Sequence, residues 1–176
     1  MNLSNILETA TAGIEERYFH LKIDGGPAVY RERVYCYELY HQLRRNWNRT
    51  DYVVNGEVDK SAHPIMAPLG ARGRKPDLLI HGPGDMNANY AIIEVKPCNA
   101  DIRGITKDLE TLSFFIGKGQ YQHGILLLYG YGACQTASRT IKASKTVEDL
   151  KQIELWIHKN PGSAAIRIAT VGQRSH

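Results

Sequence analysis

Two short apolar segments and the turn between them constrain this chain more than any other feature. The first is Lys75-Pro76-Asp77-Leu78-Leu79-Ile80 and the second is Ala91-Ile92-Ile93-Glu94-Val95-Lys96. Each is a β-rich run bounded by turn-forming residues, the pattern of a strand. The stretch from His81 to Asn89 is rich in Gly, Pro, Asn and Asp, residues that reverse a chain. Folding back near Asp85-Met86 sets Asp77 opposite Glu94 and Ile80 opposite Ala91. Side chains alternate along a strand, so Glu94 and Lys96 share one face and Val95 points to the other.

That register brings two carboxylates and one ammonium to the same end of a hairpin. Neighbouring carboxylates repel, and both stay ionised only with a cation between them. Hard oxygen donors in small number suit magnesium, which keeps several waters and takes its other ligands from a substrate phosphate. A lysine two residues from such a carboxylate is placed to hold an attacking water or to steady charge on the phosphate. Pro76-Asp77, a gap, and Glu94-Val95-Lys96 closing an apolar strand resemble the active-site signature of the PD-(D/E)xK nuclease superfamily.

The resemblance implies a restriction-endonuclease-like αβββαβ core with Asp77 and Glu94 holding Mg2+, or Mn2+ in its place. It implies the carbonyl of Val95 as a third metal ligand, and Lys96 as the group that positions or deprotonates the attacking water. It also implies an acid from the first core helix. Glu38 is the residue carried into that role, with Glu32 as the fallback. The plain alternative for a Glu-x-Lys triplet is a solvated surface ion pair, which contributes little.

With 176 residues, 43% of them hydrophobic and 23% charged, the chain has the length and composition of one globular domain. We divide it into an N-terminal helical extension (1–27), a core (28–130) and a C-terminal helix and strand (131–176). A net charge of +4 permits a polyanionic partner without demanding one. Cys36, Cys98 and Cys134 are odd in number and scattered, which argues against a disulfide framework and for a reducing compartment. Neither a signal peptide nor a membrane span is legible, so a cytoplasmic location is expected.

In chain order, three- and four-residue spacing of Leu3, Ile6, Leu7, Ala10, Ile14 and Tyr18 predicts a helix from Ser4 to His20. Asp24-Gly25-Gly26-Pro27 turns the chain. A second, aromatic-rich helix is predicted from Ala28 to Trp47, with Glu38 near its buried side and His41 beside it. The stretch from Asp51 to Lys60 reads as the first strand, with Glu57 and Asp59 on one face. Residues 61–75 form a loop whose end, Arg72-Gly73-Arg74-Lys75, delivers Arg72, Arg74 and Lys75 just before Asp77. A nuclease would grip the flanking phosphates there; otherwise the run is a solvated loop.

After the hairpin, Asn99 or Asp101 can cap a helix that runs from Asp101 to Gly117. His123 to Gly130 is a continuous apolar run, the mark of a strand buried on both faces. Residues 131–144 read as irregular, 146–158 as a helix and 164–171 as the last strand. The expected fold is therefore α/β, a mixed sheet flanked by helices on both faces. The seven histidines lack zinc-ligand spacing, and no nucleophile elbow is present.

The function these readings imply is metal-dependent hydrolysis of phosphodiester bonds in DNA, in restriction, repair or defence against foreign DNA. No separate sequence-reading domain fits in this length, so specificity would come from loops, a homodimer or a partner protein. The alternative is a catalytically inactive subunit of the same fold that binds nucleic acid or a partner protein.

Overall fold

The computed structural model describes residues 2–48, 51–58, 64–71 and 73–173. The element order is α1 (Leu3–Ala12), α2 (Glu16–Phe19), β1 (Leu21–Ile23), β2 (Gly26–Val29), α3 (Glu32–Asn46), β3 (Val53–Gly56), β4 (Leu78–His81), β5 (Asn89–Pro97), α4 (Ile102–Gly117), β6 (His123–Tyr129), α5 (Ala133–Ser144), β7 (Ile153–His158) and β8 (Ile166–Val171). Strands β3 to β8 form one six-stranded sheet in sequence order, while β1 and β2 pair only with each other. Within the large sheet β5-β6 and β6-β7 are parallel and the remaining pairs antiparallel. The molecule is thus α/β with a mixed sheet.

Alternation along the strands divides the core in two. Leu78, Ile80, Ala91, Ile93, Val95, Ile125 and Leu127 pack under α1 and α3. Leu79, Ile92, Leu126, Leu128, Ile153 and Leu155 pack under α4 and α5. Helices therefore cover both faces, and the central strands β5 and β6 are apolar on both sides because both sides are covered. The hairpin register is the expected one, with Ile80 paired to Ala91 and Leu78 to Ile93. Asp101 caps α4 by accepting from the Gly104 N–H at 2.6 Å.

Several expectations fail. The first helix stops at Ala12, and the chain re-enters a single turn at Glu16. Residues around Asp24-Gly25 turn a small hairpin, β1-β2, with Gly25 at φ +71°, so α3 starts at Glu32 rather than at Ala28. Residues 133–144, read as irregular, are the helix α5. Its buried stripe is Ala133, Thr136, Ala137, Thr140 and Ser144, polar by letter but with its hydroxyls satisfied, that of Thr136 by the Cys98 carbonyl and the others within the helix. Thr140 Oγ1 donates to the Thr136 carbonyl and Ser144 Oγ to that of Ile141, both at 2.9 Å. Residues 153–158, read as part of a helix, are the strand β7. Ile153, Leu155 and Ile157 face one core and Trp156 the other, so the run Leu155-Trp156-Ile157 is apolar for a reason of period two. The C-terminal helix and strand expected from the sequence are in fact a helix and two strands.

Candidate active site

Asp77 and Glu94 meet at the end of β4 and β5. They lie two residues beyond Leu79 and Ile92, so both belong to the α4 face of the sheet. The two segments are stitched through their own backbones. Asp77 Oδ2 accepts from the Val95 N–H at 2.8 Å, and Glu94 Oε2 accepts from the Asp77 N–H at 3.4 Å. Glu94 is only 5% exposed. Burial, then the neighbouring charges of Asp77 and Asp108, drive its carboxyl well above the usual range. Burial raises Asp77 too, with the Glu32 charge adding to it, while the Val95 N–H and the Lys96 ammonium pull the other way.

Lys96, two residues past Glu94, joins three elements. Its ammonium lies 2.9 Å from Glu32 Oε2, in the first turn of α3, and 3.2 Å from Asp108 Oδ2 on α4. Both Lys96 and Asp108 side chains are largely buried, at 16% and 10% exposure. Burial works against the Lys96 charge, but Asp108 and Glu32 outweigh it and hold the ammonium above the ordinary lysine range. The Asp108 carboxyl is pushed up to about 7 by burial, against the pull of Lys96. Its Oδ2 makes no hydrogen bond despite the ion pair. Four carboxyl groups thus cluster near one ammonium, and a divalent cation bound among them would favour their charged forms.

No family model, curated protein or solved structure matches the chain.

Among the described residues no three His, Cys, Asp or Glu side chains converge tightly enough to hold an ion by themselves. Asp77 and Glu94 are a two-carboxylate donor set, the size magnesium uses when backbone, water and substrate phosphate complete its shell. Glu38, carried to the site from the sequence, is not brought there. It accepts from Gln42 Nε2 at 2.7 Å, nearly two turns along α3 from Glu32. Six residues turn a helix by roughly 240°, so Glu32 and Glu38 face different sides, and it is Glu32 that meets Lys96.

Of the expected phosphate-gripping cations, Arg72 lies outside the described residues. Arg74 stacks its guanidinium 4.9 Å over the Phe114 ring. Lys75 pairs with Glu57 at 2.8 Å, and Arg33 approaches the same carboxylate at 3.3 Å. Glu57 is therefore a surface partner of these cations, and the other acid expected on its face, Asp59, lies outside the described residues. Asp108 was legible as an anomaly, since it stands between Ile105 and Leu109 on the buried stripe of α4. An aspartate on an apolar stripe needs a cation or a proton.

Proposed function

We propose that this chain is a magnesium-dependent nuclease, with manganese as the alternative ion, that hydrolyses phosphodiester bonds in DNA. The observation that carries the reading is the pair of carboxylates on adjacent strands, Glu94 buried and Asp77 half-buried, bonded through each other's segment, with a charged lysine alongside. Asp77 and Glu94 would hold the ion, and the Val95 peptide, whose N–H already meets Asp77, would add its carbonyl oxygen. When bound, the ion polarises the phosphoryl oxygen and acidifies a bound water. Asp77 and Glu94 contribute fixed negative oxygens, each oriented by a backbone N–H, so their positions are set before substrate arrives.

Lys96 acts as a cation. Because Glu32 and Asp108 hold its proton on, it serves to position the nucleophile and stabilise charge growing on the phosphate, rather than to remove a proton. Glu32 takes the part of the first-helix acid. Lys75 and Arg74 lead into Asp77 and would exchange their present partners for phosphates. The Lys75–Glu57 pair is exposed and cheap to break. The order α3, β3-β4-β5, α4, β6 supports a restriction-endonuclease-like core, since it is the αβββαβ order that the superfamily resemblance implies. The competing reading, a non-cleaving subunit of the same fold, draws on the double ion pair that occupies Lys96.

Cleavage of supercoiled plasmid and of single-stranded DNA, with magnesium and with chelator, decides between them. The wild type should cut only with the metal, and Asp77→Asn should not cut at all. Intact DNA after incubation with wild type and either magnesium or manganese would leave the binding subunit as the better account.

A further inference from the structure

We propose that the groove between the C-terminal half of α3 and the edge strand β3 binds single-stranded nucleic acid, stacking a base on its aromatic wall and pairing the backbone with Arg44 and Arg45. The groove encloses about 550 Å3 and is lined by Tyr40, Arg44, Trp47, Tyr52, Val53 and Pro83. That volume is within the range of small-ligand sites. Its aromatic wall is held in place. Trp47 Nε1–H donates to the Tyr52 carbonyl at 2.9 Å, and the Tyr52 and Trp47 rings lie 5.0 and 6.2 Å from that of Tyr90. A surface ordered before the ligand arrives loses little entropy on binding.

Positive charge lies beside these rings. Arg44 sits 5.7 Å from the centre of the Tyr40 ring and donates to its hydroxyl at 3.3 Å. Arg44 and Arg45 are exposed, and among the described residues neither pairs with a carboxylate. The nearer of the two acids on the same helix, Glu38, is turned to Gln42. A shallower hollow formed with His41 and Arg45 continues from the groove through the shared Tyr40 and Arg44.

The complementary ligand is a polyanion that offers free base faces. A single strand does so, and a duplex keeps its bases stacked inside. The groove is separate from the acid pair. It opens at the Val53 end of β3, while the other end, Gly56, pairs with Leu78 beside Asp77, roughly 10 Å along the strand. It therefore stands or falls independently of the hydrolysis reading.

The test uses the full chain carrying Asp77→Asn, so that DNA stays intact, titrated with oligothymidylate while tryptophan emission is followed. The other tryptophan, Trp156, is 1% exposed and should stay silent. The emission change should appear and should vanish in Trp47→Phe. Paired Arg44→Glu and Arg45→Glu exchanges should weaken binding at least about tenfold and flatten its salt dependence. An abasic strand of equal length should bind roughly tenfold more weakly, and a duplex more weakly than the single strand. Unchanged Trp47 emission, an abasic strand that binds as tightly, or full affinity in the double arginine variant would overturn the proposal. Oligonucleotide binding by a wild type that cuts nothing would leave the groove standing and remove the nuclease reading.

Discussion

At the scale of single residues, the site is built against stability. Glu94 is buried and Asp77 half-buried, and the charged forms of both are disfavoured without a cation. Glu94→Gln and Asp77→Asn should therefore abolish cleavage while raising the stability of the metal-free protein, on the order of 1 kcal/mol each. Thermal unfolding of both variants checks this, and a lower Tm in both would contradict it. Lys96 is the opposite case. Removing it leaves Glu32 and Asp108 facing each other with no counter-charge, so Lys96→Ala should cost about 3 kcal/mol and lower Tm by roughly 10 °C. Loss of activity in that variant must accordingly be read beside its stability. Asp108 sets a pH dependence. Its carboxyl holds a proton up to about 7 in the folded chain, so between the ordinary aspartate value and 7 the folded state binds more protons than the unfolded one. Its contribution therefore declines as pH rises through that window. Asp108→Asn should gain stability over wild type progressively as pH climbs, measured by denaturant unfolding across the range; a difference independent of pH would refute the assignment.

At the scale of elements, what was legible in the sequence is what local chemistry alone decides. The β4-β5 hairpin announced itself through turn residues and paired apolar runs, and its register followed from counting. The helix from Asp101 carried its cap and its stripe. The misread elements are those whose period only burial decides. In β7, Leu155, Trp156 and Ile157 are consecutive apolar letters that suit a helix stripe as well as a strand buried on both faces, and only the neighbouring β6 settles which. In α5 the buried face is threonine, serine and alanine, and hydroxyls bonded to their own helix look like a polar loop on paper. The start of α3 was misplaced by four residues because the β1-β2 hairpin hid in Gly25-Gly26-Pro27. Glu32 rather than Glu38 reaches Lys96 because the two stand roughly 240° apart around α3. The end of β7 also carries a consequence. His158 is fully buried, with Nδ1 2.7 Å from the Tyr35 hydroxyl and Phe19 edge-on at 4.9 Å. Burial lowers its pKa to about 4. Here the unfolded state binds the extra proton, so stability is complete above the ordinary histidine value and is lost as pH falls from there toward 4, by up to about 3 kcal/mol. His158→Gln should remove that acid-side loss. The His158 and Asp108 slopes oppose each other across the same range, so relative to wild type Asp108→Asn should gain stability as pH rises and His158→Gln should gain it as pH falls.

At the scale of the whole molecule, the sheet acts as a frame that brings residues from distant parts of the chain to one strand end. Glu32 comes from the helix on one face, Asp108 from the helix on the other, and Asp77, Glu94 and Lys96 from the strands between. No described helix is long and apolar enough to cross a membrane. If DNA lies across this end, its phosphates displace counterions, and both binding and cleavage should fall steeply with added salt. Salt-indifferent binding would point to a partner that is not a nucleic acid. The central claim, that Asp77 and Glu94 together hold a divalent ion, is tested most directly by calorimetric titration of the metal-free protein with manganese. One bound ion in the wild type, lost in both Asp77→Asn and Glu94→Gln while the two variants stay folded, is the expected result. Undiminished manganese binding by either variant, or none by the wild type, would contradict it.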